Sequence, residues 1–399
     1  MKVCGIICEY NPFHNGHLHQ LHTLRKRGYD KIVAVMSGNF TQRGAPCCAD
    51  KWQRTSWALQ NGVDLVLELP TLFALSSAEG FARGAVRILD GLGVVDTLCF
   101  GSESTDLPLL QKTAALLTEE PPIFQQHLKE ALSRGLSFAS ARALAVEKLL
   151  GLEASALLKS PNSILGVEYI KALLQEQSSI RPLPIPRKTA PYHSSALHGS
   201  IASASAIREG LKHGWHEQVR PTLPPQVFEE IRQGIVQDEA FALPILSLFR
   251  RQSTTFLRSL PDVSEGLENR LLSAARSSRT LSEFLSKTKS VRYVESRIRR
   301  ICFNALVGVS AAQQKCSLQK GAPLYARMLG FRKSAGDLLS RIKTSATLPF
   351  LAKAANYTMF PAIQPLFLLD TAATDQYSLL LPKHYQAGRD FSQPIIILP

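Results

Sequence analysis

Two histidines three residues apart, His14 and His17, enclose Asn15 and Gly16 and follow directly on the apolar run Gly5-Ile6-Ile7-Cys8. On the first turn of a helix that spacing puts both rings on one side, where they could flank a single anion. Phosphoryl and nucleotidyl transfer ask little covalent help of a protein. The barrier falls through alignment and through donors that meet charge developing on the phosphate and the departing pyrophosphate. Imidazoles supply such donors without a permanent charge, and Gly16 leaves out a side chain that would stand in the way of a phosphate. A bare His-x-x-His is otherwise a pair of surface or core residues. Here strand, turn, Asn11-Pro12-Phe13, Gly16 and helix onset come in the order the chemistry needs. His19 and His22 continue along the same helix and read as surface residues.

The elements that must carry this loop are legible as alternating short β-branched runs and longer amphipathic stretches. Val3 to Cys8, Lys31 to Ser37, Leu65 to Leu69 and Thr97 to Gly101 read as strands, each followed by a polar or glycine-containing loop and a helix pattern. That alternation predicts β-α-β units, hence an α/β fold with a parallel, helix-covered sheet. Ligands in such sheets bind at the carboxyl ends of strands, and a helix N-terminus there offers amide donors to a phosphate. Residues 107 to 177 read as mostly helical. Three alternating prolines in Ile180 to Arg187 fix an extended path, an edge strand or connector. Ser203 to Lys212 reads as a short helix stopped by Gly214, and a domain boundary is expected there. Residues 1–214 then form the catalytic domain, and 215–399 a mainly helical one without a convincing strand until the last forty residues.

The 46 Lys and Arg against 32 Asp and Glu leave a formal charge of +14, a surplus suited to a polyanion such as nucleic acid or simply to a basic soluble protein. The apolar share of 45 % and charged share of 20 % exclude a disordered chain. No run of about 18 uncharged apolar residues is present and the start does not read as a signal peptide, so a cytoplasmic protein is expected. The seven cysteines include no Cys-x-x-Cys and no Cys/His cluster at zinc spacing, which argues against disulfides and structural metal. Cys4 and Cys8 read as core.

His14-Asn15-Gly16-His17 after an apolar strand resembles the His-x-Gly-His signature of the nucleotidyltransferase superfamily, whose Rossmann-like fold is shared with class I aminoacyl-tRNA synthetases. Four longer blocks narrow the likeness: Glu9 to His17, Ser37-Gly38-Asn39-Phe40-Thr41-Gln42-Arg43-Gly44, Asp64-Leu65-Val66-Leu67-Glu68-Leu69-Pro70 and Tyr325-Ala326-Arg327-Met328-Leu329-Gly330-Phe331. Together they resemble the bacterial tRNA(Met) cytidine acetate ligases over nearly the whole chain. The resemblance implies that acetate attacks the ATP α-phosphate to give acetyl-adenylate and pyrophosphate. The exocyclic amine of the wobble cytidine in elongator tRNA(Met) then takes the acetyl group.

It also implies an ATP site made of Ile7, Cys8, Glu9, Tyr10, Asn11, Pro12, Phe13, His14, Asn15, Gly16, His17, Leu18, His19 and Gln20 with Gly101, Asn162 and Arg187. Read locally, each has a plain alternative: Gly101 could only permit a turn, Asn162 cap a helix and Arg187 be a solvated charge. Ser203-Ala204-Ser205-Ala206-Ile207-Arg208 resembles the superfamily's second signature, Ser-Ser-Thr-x-Ile-Arg, which binds β- and γ-phosphates. Ala204 replaces one hydroxyl, so the amides and Arg208 carry more of that expectation than Ser203 and Ser205. Mg2+ is expected with the triphosphate, without a dedicated carboxylate cage.

For RNA, Gln42, Arg43, Lys51 and Arg54 follow the second strand and could steer phosphates or the tRNA backbone; a solvated basic helix fits Lys51 and Arg54 equally. Glycines around Asn39 to Arg43 suggest a close-approach loop. Arg297, Arg299 and Arg300 line a basic helix suited to RNA or to solubility alone. No stable protein partner is expected. Two other functions compete: a transferase moving a nucleotidyl group onto a small phosphorylated metabolite, and a non-enzymatic ATP-binding RNA factor. The basic helical C-terminal half speaks against the first and the intact histidines against the second.

Overall fold

A computed structural model describes residues 1–187, 199–264, 266–381 and 383–399. Its centre is an eight-stranded sheet in the order β5-β4-β1-β2-β3-β6-β7, with β8 also pairing β6. The strands are β1 Val3–Cys8, β2 Lys31–Ser37, β3 Leu65–Leu69, β4 Thr97–Ser102, β5 Arg181–Pro186, β6 Ala326–Arg332, β7 Phe350–Leu351 and β8 Ile396–Leu398. The first five run parallel. β6 enters antiparallel to β3, while β7 and β8 run parallel to β6.

Burial on both faces explains why the first strands are nearly continuous apolar runs. In β2, Val33 and Val35 enter one core cluster while Ile32, Ala34 and Met36 enter the other. Cys4 and Cys8 belong to the second cluster, the core position their apolar run suggested, and Cys99 joins them there. The helix α1, Asn15–Lys26, packs Leu21 and Leu24 there, and α2, Lys51–Gln60, adds Trp57, Ala58 and Leu59.

The proline-rich run is an edge strand. Arg181 N–H reaches Asp96 O at 3.1 Å and Arg187 N–H reaches Ser102 O at 3.2 Å. That register turns Pro182, Pro184 and Pro186, which lack an N–H, to the open side, where no ladder bond is lost. Their rings also deny the edge to another strand.

One expectation needs correcting. A strand-free second half up to the last forty residues does not hold, because β6 lies at Ala326–Arg332 and inserts beside β3. Its concealment is physical. Arg327 is only 4 % exposed yet charged, and its partners Glu68 and Asp390 are far away in the chain. A buried cation inside a strand erases the local alternation on which strand recognition depends.

Candidate nucleotide-binding site

In this strand order the chain leaves β1 toward β2 on one side and later returns to place β4 on the other, so the topological switch point lies between the carboxyl ends of β1 and β4. Both histidines occupy that point. Leaving β1, the backbone turns sharply at Tyr10, a non-glycine residue at φ +46°. Tyr10 and Phe13 are buried and pack edge-on and tilted against the His17 ring, at 4.8 and 5.5 Å between centroids. Ile7, Cys8, Tyr10 and Phe13 therefore spend their side chains on the core, which leaves their backbone for a ligand.

His14 is the N-cap of α1. Its Nδ1 accepts from Gly16 N–H at 3.1 Å, and the Nδ1 of His17 accepts from His14 N–H at 3.2 Å. This is a capping box built from two imidazoles in place of a hydroxyl and a carboxylate. The rings stack at 3.7 Å with planes 20° apart. Since each Nδ1 receives an amide hydrogen, each neutral ring holds its own proton on Nε2, the atom left for a ligand. Burial, reinforced by the nearby Arg187 and Arg208 cations, lowers His14 to a pKa of about 3. Burial, then His14 and Arg187, holds His17 well below the usual imidazole range. Both are neutral donors at pH 7.

Gly16 has a structural cause beside the one its position suggested. A Cβ there would lie 2.8 Å from His14 Cε1 and 3.0 Å from its Nδ1, so the glycine first makes room for the capping ring. Asn15 sends Nδ2 to the carbonyls of Ser200 and Pro221, both at 2.9 Å. Arg208 donates to Asn11 O at 2.6 Å. These bonds bring the helix Ala204–Lys212, capped by Ser203 Oγ, against the histidine loop. Ser205 stays exposed, its Oγ 3.4 Å from Arg208 Nη2. Leu18 packs on the second core cluster, His19 is half-buried, and Gln20 reaches Cys99 Sγ at 3.4 Å. Glu9 accepts from Gln42 N–H at 2.7 Å, and burial raises its carboxyl pKa.

Across the crevice, Gly101 in β4 leaves space that Arg187 fills; a Cβ would sit 3.2 Å from Arg187 Cγ. Asn162, in the first turn of the helix Pro161–Gln175, donates to Glu103 Oε1 at 2.6 Å. Ser163 gives its N–H and its hydroxyl to Glu103 Oε2, at 2.8 and 2.9 Å. Arg187 stands 4.0 Å from the same carboxylate. Bonds from Asn162 and Ser163 hold the Glu103 carboxyl below its usual range despite partial burial. Glu103 and Ser163 thus organise this wall, and sequence reasoning missed both. Their one available signal was Glu103 just beyond the strand end that carries Gly101.

The basic residues divide sharply. Lys51 and Arg54 are not surface cations: both are 0 % exposed. Lys51 Nζ pairs with Glu68 and Asp390, each at 2.7 Å. Arg54 donates to the carbonyls of Ala49, Glu9, Ser37 and Gly38, tying together the chain just past β1 and β2. Arg43 is exposed. The close approach expected of its loop is to protein, since Gly44, at φ +70°, abuts the backbone of Arg299 and Arg300. On that helix Arg299 pairs with Asp238 at 2.5 Å and Glu295 at 2.9 Å, and Arg300 with Asp262 at 3.0 Å. Arg297 bonds Asp262 O and Ser264 Oγ and covers the Tyr293 ring. Its charge is largely answered within the fold. Among the described residues, no three His, Cys, Asp or Glu side chains gather as a metal site.

The chain matches the HIGH Nucleotidyl Transferase family over residues 1–391. It is 41 % identical to a tRNA(Met) cytidine acetate ligase of Acetivibrio thermocellus and 42 % identical to one of Caldanaerobacter subterraneus, each covering 100 % of both chains. Among solved structures it resembles Thermotoga maritima TmcAL bound with alpha-thio ATP, with a TM-score of 0.92, 39 % identity and 100 % of both chains covered. The apo form of that protein gives a TM-score of 0.94 at 40 % identity, again over 100 % of both. With a matching sequence and a matching fold from end to end, the chain belongs to the HIGH nucleotidyl transferase family and, within it, to the tRNA(Met) cytidine acetate ligases.

Proposed function

We propose that this chain is an ATP-dependent ligase that activates acetate as acetyl-adenylate and acetylates the exocyclic amine of the wobble cytidine of elongator tRNA(Met). The observation that carries the reading is the stacked pair of buried, neutral imidazoles at the switch point, with the Arg187 cation near both rings and Arg208 near His14. Full-length relatives named for this reaction supply the acyl donor and the RNA.

In this reading the triphosphate lies over the start of α1. His14 and His17 donate from Nε2 to its oxygens, and Arg187 and Arg208 answer the charge that grows as pyrophosphate leaves. Acetate oxygen attacks the α-phosphorus, the bond to the β-phosphate bridging oxygen breaks, and acetyl-adenylate remains. The cytidine N4 amine then attacks the acetyl carbonyl, AMP departs, and the amine loses a proton. Depressed histidine pKa values keep both rings neutral at pH 7, so they act as Nε2–H donors while Arg187 and Arg208 supply the positive charge. Mg2+ would enter as the counterion of ATP, since Glu9 and Glu103 are taken up by protein donors and no three candidate ligands gather among the described residues.

Gly101, Asn162, Ser203 and Ser205 complete the proposed nucleotide contacts, with Arg43 the basic residue best exposed for the tRNA backbone. We place the protein in the cytoplasm with its tRNA; no described helix is long and apolar enough to cross a membrane.

Labelled pyrophosphate should exchange into ATP only when acetate is present. Exchange indifferent to acetate but dependent on a phosphorylated metabolite would overturn the assignment. Mass spectrometry of elongator tRNA(Met) after incubation with ATP and acetate should show one added acetyl group on the wobble cytidine.

A further inference from the structure

The chain has three tryptophans, and two are occupied within the fold. Trp57 is fully buried with Nε1 donating to Glu230 at 2.7 Å, and Trp52 is 4 % exposed beneath the Lys51 and Arg389 cations. Trp215 is 44 % exposed. The exposed ring of His213 stacks on its indole at 5.0 Å between centroids, with planes 25° apart. Leaving an indole in water forgoes the burial that large aromatic side chains ordinarily contribute. The imidazole orients that ring without enclosing it.

The place of this stack narrows its use. Gly214, at φ +73°, turns the chain between the two rings just after the helix Ala204–Lys212. Both flanks are tied to the histidine loop, upstream by Arg208 to Asn11 O at 2.6 Å and downstream by Asn15 Nδ2 to Pro221 O at 2.9 Å. From Trp215 to Pro221 the path is the short helix His216–Val219 and the start of a 3-10 turn, Arg220–Thr222. Such a path rises roughly 10 Å. The stack therefore lies on a segment pinned on both sides to the histidine loop, with roughly 10 Å of chain path separating it from the carbonyl that Asn15 holds.

We propose that His213 and Trp215 form a stacking platform for an unpaired base of the RNA substrate, adjacent to the base that enters the histidine site. The proposal rests on the RNA-modifying reading above and adds a selection rule to it. Every base has a π-face, so an aromatic platform tolerates sequence, but the face must be free, which favours a single-stranded loop over a duplex. Arg220, exposed just beyond the stack in the chain, suits a phosphate of such a loop, whereas Lys212 on the other side is paired with Glu209 at 3.0 Å.

The test is direct binding of an anticodon stem-loop oligonucleotide to the full chain. Trp215→Ala should weaken binding about tenfold, as loss of one base–aromatic stack does, while Trp215→Phe stays near wild type. The slope of affinity against salt should be unchanged in both, because no phosphate contact is removed. A urea midpoint equal to wild type checks the fold. An unchanged dissociation constant in Trp215→Ala, or a loss that phenylalanine does not restore, overturns the platform. If the stem-loop binds through Trp215 but no acetylcytidine forms with ATP and acetate, the platform stands and the ligase assignment falls.

Discussion

At the scale of single residues, the histidine pair caps α1, and the phosphate-donor role proposed for it separates from that capping under mutation. His14→Ala and His17→Ala should each lower acetate-dependent pyrophosphate exchange by about 10²–10³, the usual effect of removing one preorganised donor. Loss of the His14 cap should cost stability of only about 1 kcal/mol, read as a small shift in the denaturant midpoint. Gly16→Ala should cost more activity than stability, since the new Cβ drives the His14 ring off its amide partner. The pH dependence has a definite sign. Both imidazoles titrate below their ordinary 6.5, so the unfolded chain takes up protons that the folded one refuses. Stability from the pair is whole above about pH 6.5 and drains as pH falls, for His14 down to about 3. Wild type should therefore lose more unfolding free energy between pH 7 and pH 5 than His14→Asn does, and an equal loss in the two would contradict the neutral-donor picture. The positions of these rings were legible because residue type, spacing and helix onset coincided. That each Nδ1 is spent on capping was not legible, because a hydrogen-bond partner is a property of the folded turn.

At the scale of elements, the buried charges decide what α2, β3 and β6 can be. Lys51 and Arg327 face Glu68 and Asp390 with every member at most 5 % exposed in its side chain. Removing one partner of such a set typically costs about 3–5 kcal/mol, because the remaining charges stay buried without compensation. Lys51→Met should thus depress the thermal midpoint strongly and leave the salt slope of tRNA binding unchanged, whereas Arg43→Ala should do the reverse. A lower salt slope in Lys51→Met would return that residue to the RNA surface. The parallel strands could be read because apolar runs bounded by loops are local signals, and the Pro182, Pro184 and Pro186 series spelled out an edge. β6 could not. Its buried Arg327 looks like a surface residue until Glu68 and Asp390 are known to meet it, and the same blindness turned Lys51 and Arg54 into apparent surface cations.

At the scale of the whole molecule, the sheet draws strands from both sides of Gly214. A fragment ending there would expose the β3 edge and leave Lys51 and Glu68 without Arg327 and Asp390. Residues 1–214 expressed alone should be insoluble or lack cooperative unfolding, and a soluble, cooperatively melting fragment would disprove this. The relatives match from end to end, as a sheet closed by its own last residues requires. That closure has a consequence for how the protein is made. Arg389 meets Asp50 across 339 residues of chain, beside the Asp390 contact to Lys51. At a synthesis rate of about 5–20 residues per second, the early strands wait roughly 20–70 s outside the ribosome before their last partners emerge. Until β6 emerges the nascent chain carries an open β3 edge, and until Arg389 and Asp390 emerge it carries unmatched ions, so a chaperone bound during translation, and a premature stop anywhere before Arg389, should matter far more to its yield than to that of a protein whose first half finishes itself.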